Sequence, residues 1–566
     1  EVSMKAYSLL SVITALSVAT GWQFALVDSG ARAAETSDRV AVGQDSQTAQ
    51  IGHVLNRLTY GPRPGDFEKV RSLGVQRFIQ AQLNPTSIAE SPKVLAQLER
   101  SAAVRTVPSS ELLQQFQMEK QARKAAKGKT GKGKVADGNL GNTSNISNPN
   151  NPNNPNNLNN FNGPRANNNL ARRKGGAVIK EYGKRRGQVG TGMTNMRNEV
   201  ESGVIETKIV RAVESPRQLN EMMADFWFNH FNISIAKGVD RVLIGPYEEQ
   251  ALRPYLMGNF REMLGATMHH PAMMFYLDNA QNTKAGYQAA NPKNKKKGLN
   301  ENYARELLEL HTLGVDGGYS QKDVMELARV LTGWGLPTLR RNTGASGYWA
   351  SFDEQRHDFG DKVILGQTFK GTGANEIEQV LDMLARHNST AHHLSFKLAQ
   401  YFVDDNPPPA LVDKLATSYK QSGGNIKAVL NTLFASQEFW ETKYQNNKFK
   451  SPFHYLVSSL RATGASIRQP KQLSAFLKIQ GQPLYACLTP DGYKNTKEAW
   501  LNPDGLLKRM DFAVRLADSG SAADYQSVLG TVNGGKLSLQ TKQAIDKAPP
   551  DQRVAALIGS PEFMNY

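Results

Sequence analysis

The 566-residue chain has a single cysteine, Cys487, which excludes an intramolecular disulfide framework and any multi-thiolate zinc or iron–sulfur centre. Mechanistic motifs are missing as well. There is no G-x-S-x-G elbow, no H-E-x-x-H pair, no phosphate loop, no dinucleotide fingerprint and no paired E-x-x-H of a di-iron bundle. No stretch beyond the first 34 residues is apolar enough to span a bilayer. Glycine and proline, 48 and 26 residues, stay near ordinary usage and rule out collagen-like chains. Acidic residues are the scarcer charge, 51 against 68 Lys and Arg, and the net +17 invites a nucleic-acid reading. The location of that charge argues otherwise. Between Glu119 and Arg186 there are 15 Lys and Arg against three acids, and Lys293–Lys297 adds four more lysines, so these two tracts carry nearly all of the excess. Neither tract interleaves aromatics with its basic residues as a single-strand-binding surface does, and no specific nucleic-acid partner is expected.

What is present begins with an address. Lys5 precedes an apolar run from Leu9 to Val27, and Ala31-Arg32-Ala33 supplies a small-residue processing site. These are the parts of a secretory signal peptide over 1–34, interrupted by Thr14, Thr20, Gly21 and Gln23 as a membrane anchor would not be. The mature chain is expected to be periplasmic or extracellular, with no transmembrane segment after cleavage and a flexible start over 35–50. A hydrophobic share of 39% allows a substantial core elsewhere. The break comes at 119–186, where 16 of the 31 residues from Asn139 to Asn169 are asparagine. Such a tract cannot offset its ordering entropy by burial and is expected to be a disordered insertion between a helical region over 51–118 and a main helical domain over 187–566.

The dominant period is helical. Val324, Leu327, Ala328 and Leu331 follow Ser320-Gln321-Lys322-Asp323, which has capping-box spacing with Asp in place of Glu. Leu394, Leu398, Tyr401 and Phe402 form a second apolar stripe, and Ile426, Val429, Leu430, Leu433 and Phe434 a third. Lys362–Phe369 predicts a small hairpin. Leu433–Phe439 is echoed by Leu557–Phe563, the same helix ending used twice. The fold class is therefore all-α, a multi-helix globular bundle with short β-hairpin excursions and a long Asn/Lys-rich insertion.

Chemistry has to come from polar residues set into apolar helices. Phe226-Trp227-Phe228-Asn229-His230-Phe231-Asn232 is aromatic enough to be buried, so its two amides and its imidazole must find partners or cost roughly 1–3 kcal/mol each. A structural reading, in which they tie helix ends to loops, competes with a site in which His230 is a general acid or base and Asn229 and Asn232 bind substrate. Asn300–Gly314 predicts a helix with Asn302, Arg305, Glu306 and Glu309 along one stripe. Glu306 is the candidate second proton carrier, with Arg305 and Glu309 at the substrate; ion pairs at Glu301–Arg305 and Arg305–Glu309 are the structural alternative. Asp278-Asn279 and His357-Asp358 are further candidate substrate-binding residues. His311 reads as a core histidine, adjacent His269 and His270 point apart, and His387, His392 and His393 read as solvated or capping. No spacing demands a metal, and no cofactor can be named.

These segments are also where a resemblance lies. Leu55-Asn56-Arg57-Leu58-Thr59-Tyr60-Gly61-Pro62-Arg63-Pro64-Gly65-Asp66 resembles the opening of the bacterial domain-of-unknown-function 1800 family. The Trp227–Asn232 segment, Tyr276–Asn279, Asn300–Gly314 with Leu331-Thr332-Gly333-Trp334, Arg356-His357-Asp358, Gly481–Tyr485, Trp500-Leu501-Asn502 and Arg509-Met510 agree in order. The likeness covers nearly everything after Ile51; the Asn-rich tract departs from it. It implies a largely helical, often exported protein and brings no reaction or cofactor. Two readings follow. One is a hydrolase- or lyase-like enzyme acting on a polymer or glycan outside the cytoplasm; the other is a non-catalytic envelope protein that binds a glycan or another envelope protein.

Overall fold

The computed structural model describes residues 37–109, 111–116, 118, 192–288, 298–336, 350–519 and 524–566. The leader, the Asn/Lys-rich tract and the Lys293–Lys297 run lie outside the described residues. The chain divides into two units, and the described residues of the first, within 37–113 and 196–566, are compact. The architecture of the first is helical, with two small antiparallel strand pairs.

Helix α1 (Ser37–Leu58) includes most of the segment expected to be flexible. Ile51, Val54, Leu55 and Leu58 are buried at 0–1% exposure and anchor its C-terminal half. Once those turns are fixed, extending the helix through polar residues adds a hydrogen bond per residue without a new nucleation cost. The region from α1 to Arg105 packs into the same core as the rest of the unit. The Tyr60 N–H donates to Gln218 Oε1 at 3.1 Å, the Leu219 N–H to Gln82 Oε1 at 3.0 Å, and His53 Nε2 bonds the Phe439 carbonyl at 2.8 Å.

Helix α2 (Gly192–Glu214) leads into α3 (Gln218–His230), which is buried around most of its circumference, Met222, Met223 and Trp227 at 0% exposure. A helix with apolar residues on all sides sits inside a core. Short helix α4 (Asn302–Glu306) runs into a π-helical turn over Leu307–Thr312. The expected regular helix is thus interrupted. The Leu313 N–H reaches the Leu308 carbonyl at 2.8 Å and Thr312 Oγ1 reaches the Leu307 carbonyl at 2.6 Å, five residues back in each case. One turn is wider than α-helical, so Glu309 leaves the stripe of Arg305 and accepts from Tyr319 Oη at 3.2 Å instead. Arg305 keeps the Glu301 pair at 3.2 Å.

Helix α5 (Gln321–Val330) starts on the expected capping box: Ser320 and Asp323 satisfy each other's backbone N–H groups. Strand β1 (Trp334–Gly335) pairs with β2 (Ser351–Phe352). Strands β3 (Lys362–Ile364) and β4 (Gln367–Phe369) form the expected hairpin, closed by Leu365-Gly366 with φ of 50° and 79°, the signature of a two-residue type I′ turn. Helix α6 (Asn388–Phe402) packs on α7 (Pro409–Gln421), which packs on α8 (Ile426–Ala435). Leu394, Leu398 and Phe402 of α6 are buried at 0–1%, as are all five stripe residues of α8. The echoed endings are structural: Ser436 and Ser560 each stand at the N-cap of a four-residue helix that buries Phe439 or Phe563.

Candidate active site

One cavity of about 410 Å³ opens between α3, α6 and the loop over 482–495. The geometry follows from helical periodicity. On α6 the core stripe of Leu394, Leu398 and Phe402 leaves the adjoining face to His393, Lys397, Gln400 and Tyr401, at i, i+4, i+7 and i+8, and all four line the cavity. Helix α3 presents Asp225, Phe226, Asn229 and His230, and the loop adds Tyr485, Cys487, Asp491, Tyr493 and Lys494. Val315 and Asp316, both exposed, stand at the rim.

Two imidazoles are fixed by the end of the π-helical turn. The last carbonyls of a helix have no intrahelical donor. Here the Leu310 carbonyl lies 3.3 Å from His393 Nε2 and the His311 carbonyl 3.2 Å from His230 Nε2. A carbonyl only accepts, so Nε2 carries the proton in both rings. Burial, reinforced by the Lys397 charge, holds His393 down to about 4 and His230 well below its ordinary value. Both rings are neutral at physiological pH with an unprotonated Nδ1. Nδ1 of His230 has no hydrogen-bond partner among the described residues. The ring centroids lie 6.3 Å apart. His311, 6.1 Å from His230, is buried with neither ring nitrogen bonded, and burial lowers it to about 3.

Lys397 is the third chemical group. Burial lowers its ammonium from 10.5 to about 8, opposed by Asp491 and aided by Lys494. The other cavity lysines are paired, Lys208 with Asp225 at 2.6 Å and Lys494 with Asp491 at 2.8 Å. A buried ammonium is the lysine form that readily gives up its proton, as bases and nucleophiles require.

Three of the residues singled out from sequence line this cavity: His230, Asn229 and Asn232. The two amides are engaged in the wall itself. Asn229 donates to the Tyr493 carbonyl at 2.8 Å and accepts the Tyr493 N–H at 2.7 Å; Asn232 donates to the Thr489 carbonyl at 2.8 Å and the Cys487 carbonyl at 3.3 Å. They hold the 487–493 loop against α3. Glu306, Arg305 and Glu309 are not among the lining residues. Burial, with Glu309 next, raises the Glu306 carboxyl, and Asp491 adds to the rise, so Glu306 shares an acidic field with the rim.

The remaining candidates lie elsewhere. Asp278, with φ 60°, pairs with Lys237 at 3.0 Å. Asn279 is fully buried and donates to the Leu331 and Trp334 carbonyls at 3.1 and 3.2 Å, which fixes the turn into β1. His357 is fully buried, its Nε2 2.9 Å from Glu376, whose other oxygen takes Lys362 Nζ at 2.5 Å. Asp358 clasps Arg329 at 2.9 and 3.1 Å. These bonds tie the hairpin to α5 and fill the polar atoms that a ligand would need.

His393 and Lys397 were not among the residues that sequence singled out. Next to the capping residue His387, whose Nδ1 accepts the Ser389 N–H at 3.2 Å, and the exposed His392, His393 read as one more solvated histidine. The available signal was spacing: His393, Lys397 and Gln400 repeat at helical period beside an apolar stripe.

No metal-binding group of three or more His, Cys, Asp or Glu occurs among the described residues, and none of their helices is long and apolar enough to cross a membrane. No curated protein and no solved structure matches the chain. The family model described as "Protein of unknown function (DUF1800)" matches residues 53–565, and the chain belongs to that family.

Proposed function

We propose that the protein is an exported enzyme, hydrolase- or lyase-like, that performs proton-transfer chemistry on a polymer outside the cytoplasm. The observation that carries this reading is the pairing of two neutral imidazoles, locked in one tautomer by adjacent carbonyls, with an unpaired ammonium in the same open cavity. His393 Nδ1 is the general base, because its ring is partly exposed while that of His230 is buried. His230 backs it and shapes the wall. Lys397, one helical turn from His393, stabilises negative charge as it develops on the substrate. A cavity of about 410 Å³ with an open rim accepts one unit of a longer chain rather than enclosing a small molecule. Export rests on the leader-like residues 4–34.

The test is a screen of polysaccharide, peptide and ester substrates followed by a pH profile of kcat/KM. The base needs His393 neutral and the charge stabiliser needs Lys397 protonated, so activity should rise through about pH 4 and fall through about pH 8. His393→Gln should lower kcat by about 100-fold or more. Unchanged turnover per folded molecule in that variant removes the assignment. One observation favours the second reading, a binding protein of the envelope: the amides of Asn229 and Asn232 serve the loop rather than facing a ligand. In that case ligands bind the cavity and none is turned over.

A further inference from the structure

The charges lining the cavity do not cancel locally. Lys208 and Lys494 have their own carboxylates, and Asp316 stands exposed at the rim. Lys397 has no hydrogen bond or ion pair with a described residue, and its depressed pKa of about 8 still leaves it largely protonated at neutral pH. A poorly solvated cation without a counter-ion is costly to the free protein and is relieved by a ligand that brings the anion. Flat apolar surface lies beside it. Phe396 is 38% exposed, and Tyr401, one turn on from Lys397, and Tyr493, on the 482–495 loop, are partly exposed. Hydrogen-bonding capacity is also left over. The Asn495 side chain has no partner among the described residues, and Gln400, which donates to the Asp405 carbonyl at 3.1 Å, keeps its own carbonyl oxygen.

Resting on the assignment of this cavity as the active site, we propose that it takes a uronate unit of an acidic glycan: the carboxylate pairs with Lys397, the pyranose face lies on the exposed aromatic rings, and hydroxyls bond Asn495 and Gln400. A sugar ring matches the site better than an acidic peptide does. It presents a flat C–H face, several hydroxyls and one charge in a rigid unit, whereas a Glu or Asp side chain brings its carboxylate on a flexible stem with no face to stack. The single unmatched cation also fits one carboxylate per bound unit rather than a run of phosphates.

Calorimetric titration of the full chain with tetragalacturonate, galactotetraose as its neutral match, and tetraglutamate tests this. Tetragalacturonate should bind at least about tenfold more tightly than galactotetraose. Lys397→Met should erase that preference and Lys397→Arg should keep most of it, with unfolding midpoints at or above wild type as the control for folding. Equal affinity for the charged and neutral sugars overturns the proposal. So does a preference that survives in Lys397→Met, tighter binding of tetraglutamate, or no binding of tetragalacturonate at millimolar concentration. The assignment of an enzyme fails separately. A Lys397-dependent uronate preference with no polymer turned over supports the ligand and removes the catalysis. His393-dependent turnover of a neutral polymer without a uronate preference does the reverse.

Discussion

Replacing Lys397 by Met should make the protein more stable. Burial lowers the ammonium's pKa from 10.5 to about 8 on folding. At 1.36 kcal/mol per unit the folded state at neutral pH is penalised by about 3 kcal/mol for keeping the proton. Cavity solvent screens part of this, so a gain of about 1–3 kcal/mol is expected for the variant at pH 7, with Met retaining the packing of the aliphatic stem. The sign with pH follows from linkage. Between about pH 8 and pH 10.5 the unfolded chain still holds the proton that the folded chain has released, so wild-type stability climbs with pH in that window. Lys397→Met should lack that increment, and the two proteins should converge towards pH 10.5. Urea unfolding followed by tryptophan fluorescence at pH 7, 8.5 and 10 measures both effects. A variant less stable than wild type at pH 7, or an identical pH dependence in the two proteins, refutes the reasoning. A residue that lowers stability where it stands is the pattern expected of groups retained for function.

Other substitutions probe the wall and the scaffold. Glu376→Gln should cost about 3–5 kcal/mol, because Lys362 is then a buried ammonium without its counter-charge; a loss under 1 kcal/mol would contradict that pairing. Burial pushes Glu248 up, but Arg253, Lys208 and the Tyr485 hydroxyl outweigh it and hold its carboxyl at about 2, so its contribution, on the order of 3 kcal/mol, is present above pH 4.5 and lost as pH falls towards 2. Glu248→Gln should flatten that acid limb in a pH series of unfolding midpoints. Asn229→Ala removes both bonds to Tyr493 and should cost about 1–3 kcal/mol, with new proteolytic nicking at 487–495 as the local readout; an unchanged digestion pattern counts against the loop-holding role.

The helical fold was legible because its signals are local. The capping box at Ser320 and Asp323, the turn at Leu365-Gly366 and the stripe of Leu394, Leu398 and Phe402 each need only a few consecutive residues to specify them. The buried, aromatic character of the His230 segment was legible for the same reason. The partners of its amides were not, since Tyr493 lies 264 residues from Asn229 and no periodicity reports such a contact. Asn279 and His357 are buried within hydrogen-bond networks, and Asp278 and Asp358 sit in ion pairs with Lys237 and Arg329, and polar groups tied up in this way carry the same residue types as a site. Lys397 was hidden in the opposite way. A lysine beside an apolar stripe ordinarily stands in open solvent, and no local signal reports that this one lines a cavity shared with the distant 482–495 loop, where burial lowers its ammonium.

The wider turn over Leu307–Thr312 makes the two imidazoles a yoked pair. Each ring is held by a neighbouring carbonyl of the same short stretch of backbone, so a change in the path of that stretch moves both acceptors. Removing one residue from that turn would restore α-helical spacing and swing both carbonyls away together by about 100°, the angular step of one residue. Two rings of one cavity wall thus hang on one residue's worth of extra backbone, which gives their placement a single point of adjustment.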